Sequence, residues 1–368
     1  MTRQTRAPLA VLVLICFFSI HVLVDYLSPP PRHLAAHVSA YSDPSMFRMR
    51  AYMSCVVSEC RIIKTTTHPS FDIFLHEDRK TEQMEGNIAR TGQYYETSLT
   101  ECIGDIVSTR LGNDFGLRQT FWDVGANIGW YTLLASANGM AVVAIEAMQY
   151  NLRLLNASLE LNAYKRTNLI DSLHNVNVFH RALVNNSKHA LGKNVCVVPV
   201  NGNKDGWTTN FGNGHILLEA REERCAEWTY TTSIDNLLNI HTVSSHEDLL
   251  QMPIFIMKMD CEGCEVNALH GAENLLTKSS HQPCIIFAEY LHDPDMNVPE
   301  NVRIINWMDS LDYDAFAFSD FQKAWSISRN ENNSFRLDLT RLIRPGDEFG
   351  DVGEIVFVWR TTSERCSL

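Results

Sequence analysis

The window Gln119 to Asn138 (QTFWDVGANIGWYTLLASAN) constrains the fold more than any other part of the chain. An apolar run, Gln119 to Val124, passes through a short turn holding Gly125 and Gly129 into a helical window from Trp130 to Asn138. A strand handed to a helix by so short a turn is half of a βαβ unit, and parallel neighbours need such crossovers. The alternation then repeats. Ala141 to Ile145 reads as strand, Gln149 to Asn162 as helix, Val176 to His180 as strand and Ser233 to Leu238 as helix. Ile254 to Met259 follows as strand, Cys264 to Thr277 as one helix and Cys284 to Ala288 as a buried strand, with Ala315 to Phe318 and Ile355 to Trp359 closing the sheet. The pattern predicts an α/β domain over residues 119–362 with helices on both faces. Residues 184–230, rich in Asn and Gly, read as an insertion with irregular strands. Residues 49–118 read as an N-terminal cap, with a strand at Phe71 to Leu75 and a helix at Ser98 to Leu111.

The first turn also has chemistry. Its glycines allow the backbone to approach a ligand where a Cβ would clash. Its spacing is D-x-G-x-N-x-G, from Asp123 to Gly129, and not the G-x-G-x-x-G of dinucleotide sites. A carboxylate at the strand end repels a pyrophosphate, which counts against a nicotinamide-dependent oxidoreductase. A cofactor with a methionyl ammonium, a ribose and no phosphate suits Asp123 by charge pairing. Glu146, ending the next strand, is placed to accept both ribose hydroxyls.

A second constellation, Ile254-Phe-Ile-Met-Lys-Met-Asp-Cys-Glu-Gly-Cys-Glu265, runs a buried strand into Lys258, Asp260, Glu262 and Glu265. Ligands of open α/β sheets bind beyond the carboxyl ends of the strands, so these acids face the same cleft as Asp123 and Glu146. Crowded acids raise one another's pKa, and a general base can come from such a group. Helix capping and pairing with the helix dipole explain Asp260, Glu262 and Glu265 equally well. Cys261 and Cys264 lack a second pair at metal-ligand spacing and read as buried thiols; no metal is expected. His180 and His270 read as structural.

At the other end of the chain, residues 1–6 form a short tail with Arg3 and Arg6, and Ala7 to Val24 is an uncharged run of 18 residues. That length suits a thin bilayer, and the arginines keep the N-terminus cytosolic. Residues 25–48 then form a stem. A cleaved signal peptide is the alternative, since Ala35 to Ala40 offers small residues for cleavage. Either way the domain is expected in the secretory pathway, as a single-pass type II protein of the Golgi or endoplasmic reticulum if the run is an anchor. Sequons at Asn156, Asn185 and Asn332, and cysteines available for disulfides, fit that route. A net charge of -12 argues against nucleic acid as a partner.

Together these blocks resemble the FkbM-type methyltransferase family: Trp122-Asp-Val-Gly-Ala-Asn-Ile-Gly129, Ala144-Ile-Glu146 and Lys258-Met-Asp-Cys-Glu-Gly-Cys-Glu265, with echoes in Ser233-Ile-Asp-Asn-Leu-Leu238, Leu269-His-Gly-Ala272 and Pro283-Cys-Ile-Ile-Phe-Ala-Glu289. The resemblance implies a Rossmann-like seven-stranded sheet, S-adenosylmethionine as methyl donor and a hydroxyl as acceptor. It implies that Asp123, Gly125, Ala126, Asn127, Gly129 and Glu146 hold the cofactor and that Asp260, Glu262 and Glu265 flank the acceptor. Trp122, Cys264 and the insertion depart from the family pattern. Asp260 or Glu262 is then the expected base, with Lys258 and Glu289 positioning the acceptor. The lumenal setting favours a glycan hydroxyl, and Trp207, Phe211 and Trp228 in the insertion offer aromatic faces, although tryptophans are more often core. A small lipid or metabolite hydroxyl, or a non-catalytic module of the same fold, are the alternatives.

Overall fold

The computed structural model describes residues 60–76, 83–112, 119–165, 176–185, 191–201, 209–217, 225, 227–240, 249–278, 280–289, 298–330, 354–361 and 366. The expected tail, span and stem (1–48) lie outside them. Among the described residues no helix is long and apolar enough to cross a membrane.

A hairpin of β1 (Cys60–Lys64) and β2 (Asp72–His76) opens the described chain, followed by α1 (Gln83–Thr91) and α2 (Thr97–Gly112). The main sheet begins with β3 (Thr120–Val124), α3 (Trp130–Ala137), β4 (Ala141–Glu146), α4 (Gln149–Lys165) and β5 (Val176–Leu183). Then come β6 (Asn194–Asn201), β7 (Thr209–Leu217), β8 (Glu227–Thr232), α5 (Ile234–Ile240) and β9 (Ile254–Met259). The rest is α6 (Glu265–His270), α7 (Glu273–Lys278), β10 (Ile285–Glu289), α8 (Val298–Ser310), β11 (Tyr313–Ala317), α9 (Phe318–Asn330) and β12 (Glu354–Trp359).

Among the described residues the sheet has ten strands, in the order β11-β12-β10-β9-β3-β4-β5-β8-β6-β7, rather than the seven expected. The three additional strands are the insertion. β8 pairs in parallel with the end of β5, and the β6–β7 hairpin adds to β8 antiparallel, so backbone groups that a loose insertion would leave to water enter the ladder instead. A Cys196–Cys225 disulfide ties this extension together. On β8 the side chains alternate: Thr229 and Thr231 are buried, while Trp228 and Tyr230 are exposed. Trp228 is therefore not a core tryptophan. Phe211 lies in β7, and Trp207 falls outside the described residues.

Alternation along the central strands feeds two cores. Phe121, Val142, Phe255 and Phe287 pack on one face with α2, α3, α4 and α9. Trp122, Val143, Met257 and Ile286 pack on the other with α5, α6, α7 and α8. Residues read as a separate cap share the first core, where Phe71, Ile73, Ile88 and Ile103 lie with the sheet's own residues. Side chains of α4 satisfy the backbone of β2: Ser158 Oγ accepts from Phe74 N (2.9 Å), and Asn162 bridges Asp72 N and O (2.9 and 2.6 Å). An open strand edge is covered this way.

The helix expected over Cys264 to Thr277 is two helices, broken at Gly271. A Cβ there would come within 2.5 Å of Val184 O, and Gly271 O accepts from Asp235 N (2.9 Å). Asp235 also supplies the cap of α7: its carboxylate accepts from Asn274 N (2.9 Å) and Leu275 N (3.0 Å). Asp235 is 4% exposed, so water cannot replace it. Asp235→Ala is expected to destabilise the fold by about 2 kcal/mol in urea unfolding; a change below about 0.5 kcal/mol would show that the cap is dispensable.

Candidate functional site

The strand order reverses between β3 and β9, where the chain leaves β3 for β4 on one side and reaches β9 and β10 on the other. Crevices in open α/β sheets form at that point. Here the two loops leaving the sheet are stitched together, because Asp260 N donates to Val124 O (2.9 Å). Gly125, at φ +80°, lies against Asp260, whose carbonyl oxygen would be 1.8 Å from a Cβ at this position. Gly125 thus makes room for the second loop, and it also lines the cleft described below. Gly129, at φ +93°, similarly makes room for Leu155.

The second loop turns back within four residues. Glu262 and Gly263 take positive φ (57° and 94°), and Cys261 and Cys264 come to a Cα separation of 5.3 Å as a disulfide. The expectation of buried thiols is thereby corrected: the tight reversal brings the two cysteines together. Glu265 braces the turn, accepting from Cys261 N (2.8 Å) and Gly263 N (3.0 Å). Its carboxylate serves the loop, and burial pushes its pKa up to about 7.

Beneath the loop sits Lys258, 2% exposed, ion-paired with Asp260 and 4.7 Å from the centre of the Tyr131 ring. Burial alone would lower its pKa, but Asp260, Glu96 and Asp123 hold it raised. Burial likewise opposes ionisation of Asp260, yet Lys258 keeps its pKa below the ordinary value. Glu289, at the end of β10, is raised by burial and by Asp260, with which it shares a hydrogen bond, so it carries the proton of that pair. Glu262 is pushed up to about 8 by burial and then by Asp260 and Glu265. Carboxylate oxygens of Asp260, Glu262 and Glu289 lie within 4.8 Å of one another, close enough to share a cation; Lys258 already supplies positive charge there.

Two acids in this cluster escaped the sequence reading. Glu96 precedes α2, and its Oε2 accepts from the Tyr131 hydroxyl (2.9 Å); burial raises its pKa while Lys258 opposes the rise. Glu354 begins β12 directly opposite Glu289 and is pushed up to about 8, by burial and then by Glu96. Because β12 runs antiparallel, its first residue falls at the carboxyl ends of its neighbours.

On the other side of the switch point, an open cleft is lined by Gly125, Asn127, Glu146, Met148, Asp260 and Glu262, among others. Glu146 is buried and accepts from Asn127 N (2.9 Å) and Met148 N (2.8 Å), and burial pushes its pKa up to about 7. Asn127 stands at φ 51°. Asp123 does not line this cleft: it is 1% exposed and accepts from Thr132 Oγ1 (2.6 Å). Ala126, Gly129, Lys258, Glu265 and Glu289 lie outside the lining as well. His180 has a structural bond, its Nε2 lying 2.9 Å from Ala147 O, and His270 packs on Trp307. Of the sequons, Asn156 is exposed on α4, Asn185 is buried and Asn332 lies outside the described residues.

A family model for the methyltransferase FkbM domain matches residues 123–315, from the end of β3 into β11. The chain belongs to the FkbM methyltransferase family. It is thus a member of a family of S-adenosylmethionine-dependent methyltransferases, and its matched span holds both loops, Glu146 and the acids of the second block. No curated protein matches the chain. Among solved structures it is similar to precorrin-6y C5,15-methyltransferase from Geobacter metallireducens GS-15, at 10% identity and TM-score 0.29, over 73% of this chain and 89% of that one. It is also similar to PH1948 from Pyrococcus horikoshii, proposed to be an RNA methyltransferase, at 11% identity and TM-score 0.26, over 58% and 66%.

The raised carboxylates set the pH dependence of stability. Unfolded glutamates titrate near 4.3, whereas Glu146, Glu262, Glu265 and Glu354 titrate near 7 to 8 in the fold. Between those values the folded chain binds more protons, so stability is greatest at the acid end of the window and falls as pH rises. The melting temperature is expected to decline from pH 5 to pH 8, less steeply in Glu262→Gln. A profile that rises across this range would overturn the assignment.

Proposed function

We propose that this chain is an O-methyltransferase that takes a methyl group from S-adenosylmethionine and places it on a glycan hydroxyl in the secretory-pathway lumen. The observation carrying this reading is the apposition, in one cleft, of Glu146 and Asn127 with Asp260 and Glu262.

The cleft suits the cofactor by its donor set. Glu146 retains acceptor capacity beyond its two backbone bonds and lies where ribose hydroxyls would be received. The loop presents backbone at Gly125 and Asn127, and the buried Asp123 and half-buried Asp260 bias the field toward a positively charged ligand. When bound, S-adenosylmethionine supplies an electrophilic methyl on a sulfonium. The protein's task is then to align an acceptor oxygen, exclude water and take up a proton.

Among the acids expected to act as base, Asp260 is held ionised by Lys258 and is a weak proton acceptor. Glu262, with a pKa near 8, is matched to accept a proton at neutral to mildly basic pH. Glu289, holding its proton, donates to Asp260 and fixes that pair. The disulfides Cys196–Cys225, Cys261–Cys264 and Cys284–Cys366 support an oxidising compartment, as the apolar run at 7–24 supports a membrane anchor there.

Calorimetric titration of the full chain with S-adenosylhomocysteine is expected to give micromolar binding, about 8 kcal/mol. Glu146→Ala is expected to weaken it by about 2 kcal/mol. A folded chain without affinity for this ligand would end the proposal. In turnover with an acceptor, Glu262→Gln is expected to lose about 100-fold or more in kcat, while Asp260→Asn, with cofactor affinity retained, loses through misplacement of Lys258. Full turnover by both variants would remove these acids from the chemistry.

A further inference from the structure

The methyltransferase reading leaves open which wall of the acid cluster meets the acceptor, and the segment between α1 and α2 supplies that wall. Tyr95 is exposed at 44%, yet its ring rests on Tyr94, with centroids 4.7 Å apart. Tyr94 is buried, stacks on Trp130 at 5.3 Å and meets Tyr131 edge-on at 5.7 Å. Phe71 closes the far side of Trp130, also at 5.3 Å. The exposed ring is therefore the outermost member of a buried aromatic stack, not a side chain loose in water.

The backbone of the segment is tied down as well. Thr66 N donates to Gly92 O (2.9 Å), Asn87 Nδ2 to Gln93 O (2.9 Å) and Thr97 Oγ1 to Tyr94 O (3.2 Å). Glu96 follows, its carboxylate bonded by the Tyr131 hydroxyl, and Tyr131 lies under Lys258. This places Tyr95 beside the second block, next in the chain to Glu96, whose carboxylate shares Tyr131 with Lys258.

A rigid aromatic face bordered by hydrogen-bond acceptors is suited to a ligand with apolar C–H faces and hydroxyl edges. An anionic ligand would meet the ionised Asp260 with like charge. We propose that Tyr95 and Glu96 form the acceptor subsite and that the acceptor is an uncharged sugar, seated on the Tyr95 ring with hydroxyls toward the carboxylates. This rests on the methyltransferase reading and narrows it to neutral glycans, excluding uronates and sulfated or phosphorylated sugars.

The test is saturation-transfer NMR on the full chain in a non-glycosidic detergent, with S-adenosylhomocysteine present. The neutral probes are the methyl glycosides of glucose, galactose, mannose and fucose; methyl glucuronide and glucose 6-phosphate are the anionic ones. At least one neutral glycoside is expected to receive saturation and neither anionic probe to do so. Tyr95→Ala is expected to reduce the neutral signal at least five-fold, and Tyr95→Phe, which keeps the ring, to restore it. Calorimetry with S-adenosylhomocysteine, read in parallel, reports whether each variant is folded and cofactor-competent. Neutral signals that survive in Tyr95→Ala, no neutral signal at all, or equal signals from anionic probes would overturn the subsite. Loss of S-adenosylhomocysteine binding by the unmodified chain would instead overturn the methyltransferase reading beneath it.

Discussion

Lys258 is a buried ammonium on the central strand β9, surrounded by carboxylates that the fold brings from five separate segments. Its pairing with Asp260 holds one of those acids ionised, and its charge offsets the field that Asp123, Glu96 and Glu262 would otherwise impose on one another. Without a cation in that position, the acids could share the space only by taking up protons. With it, they divide into roles: Asp260 stays charged, Glu289 keeps its proton and Glu262 is pushed up to about 8. Removing one partner from such a buried pair leaves an uncompensated charge, which makes the pair costly to break even where its formation adds little net stability.

The frame around this group depends on backbone as much as charge. Gly125 and Asp260 approach so closely that the first loop and the acid loop are packed as one unit, and Glu265 and the Cys261–Cys264 bond hold the second half of that unit in its reversed course. The position of Glu262, in a left-handed conformation, follows from these restraints. A side chain expected to handle a proton is thus borne on a backbone with little freedom to move it, which is what preorganisation of a site demands.

Much of the architecture was legible in the sequence because the central strands are buried on both faces. β4 and β10 read as apolar runs ending in Glu146 and Glu289, β3 carries Asp123 one residue before its end, and β9 leads directly into Asp260. β6, β7 and β8 did not read that way. Their outer residues include Trp228 and Tyr230, their connections are rich in Asn and Gly, and their place in the sheet is set by pairing to β5, a long-range choice that local pattern does not encode. The helix break at Gly271 has the same origin, since Asp235 and Val184 dictate it from distant positions. Within the site, residues attached to a glycine turn or strand end were found by that signal. Glu96 and Glu354 carry no such mark. The first lies before a helix and looks like an ordinary partner of its dipole; the second starts a strand whose reversed direction only the assembled sheet reveals.

That reversed strand has a consequence for how the molecule is made. β12 inserts between β10 and β11, although both precede it in the chain. During synthesis β10 must wait with one edge unpaired while α8, β11 and α9 emerge, and only the arrival of β12 joins the two parts of the sheet. The Cys284–Cys366 bond then fastens the end of the described chain to the residue just before β10. Glu354 comes with the same strand, so a ribosome-bound intermediate can hold both halves of the cleft and still lack an acid of its site. Completion of the sheet and completion of the electrostatic cluster are a single late event in the life of each chain.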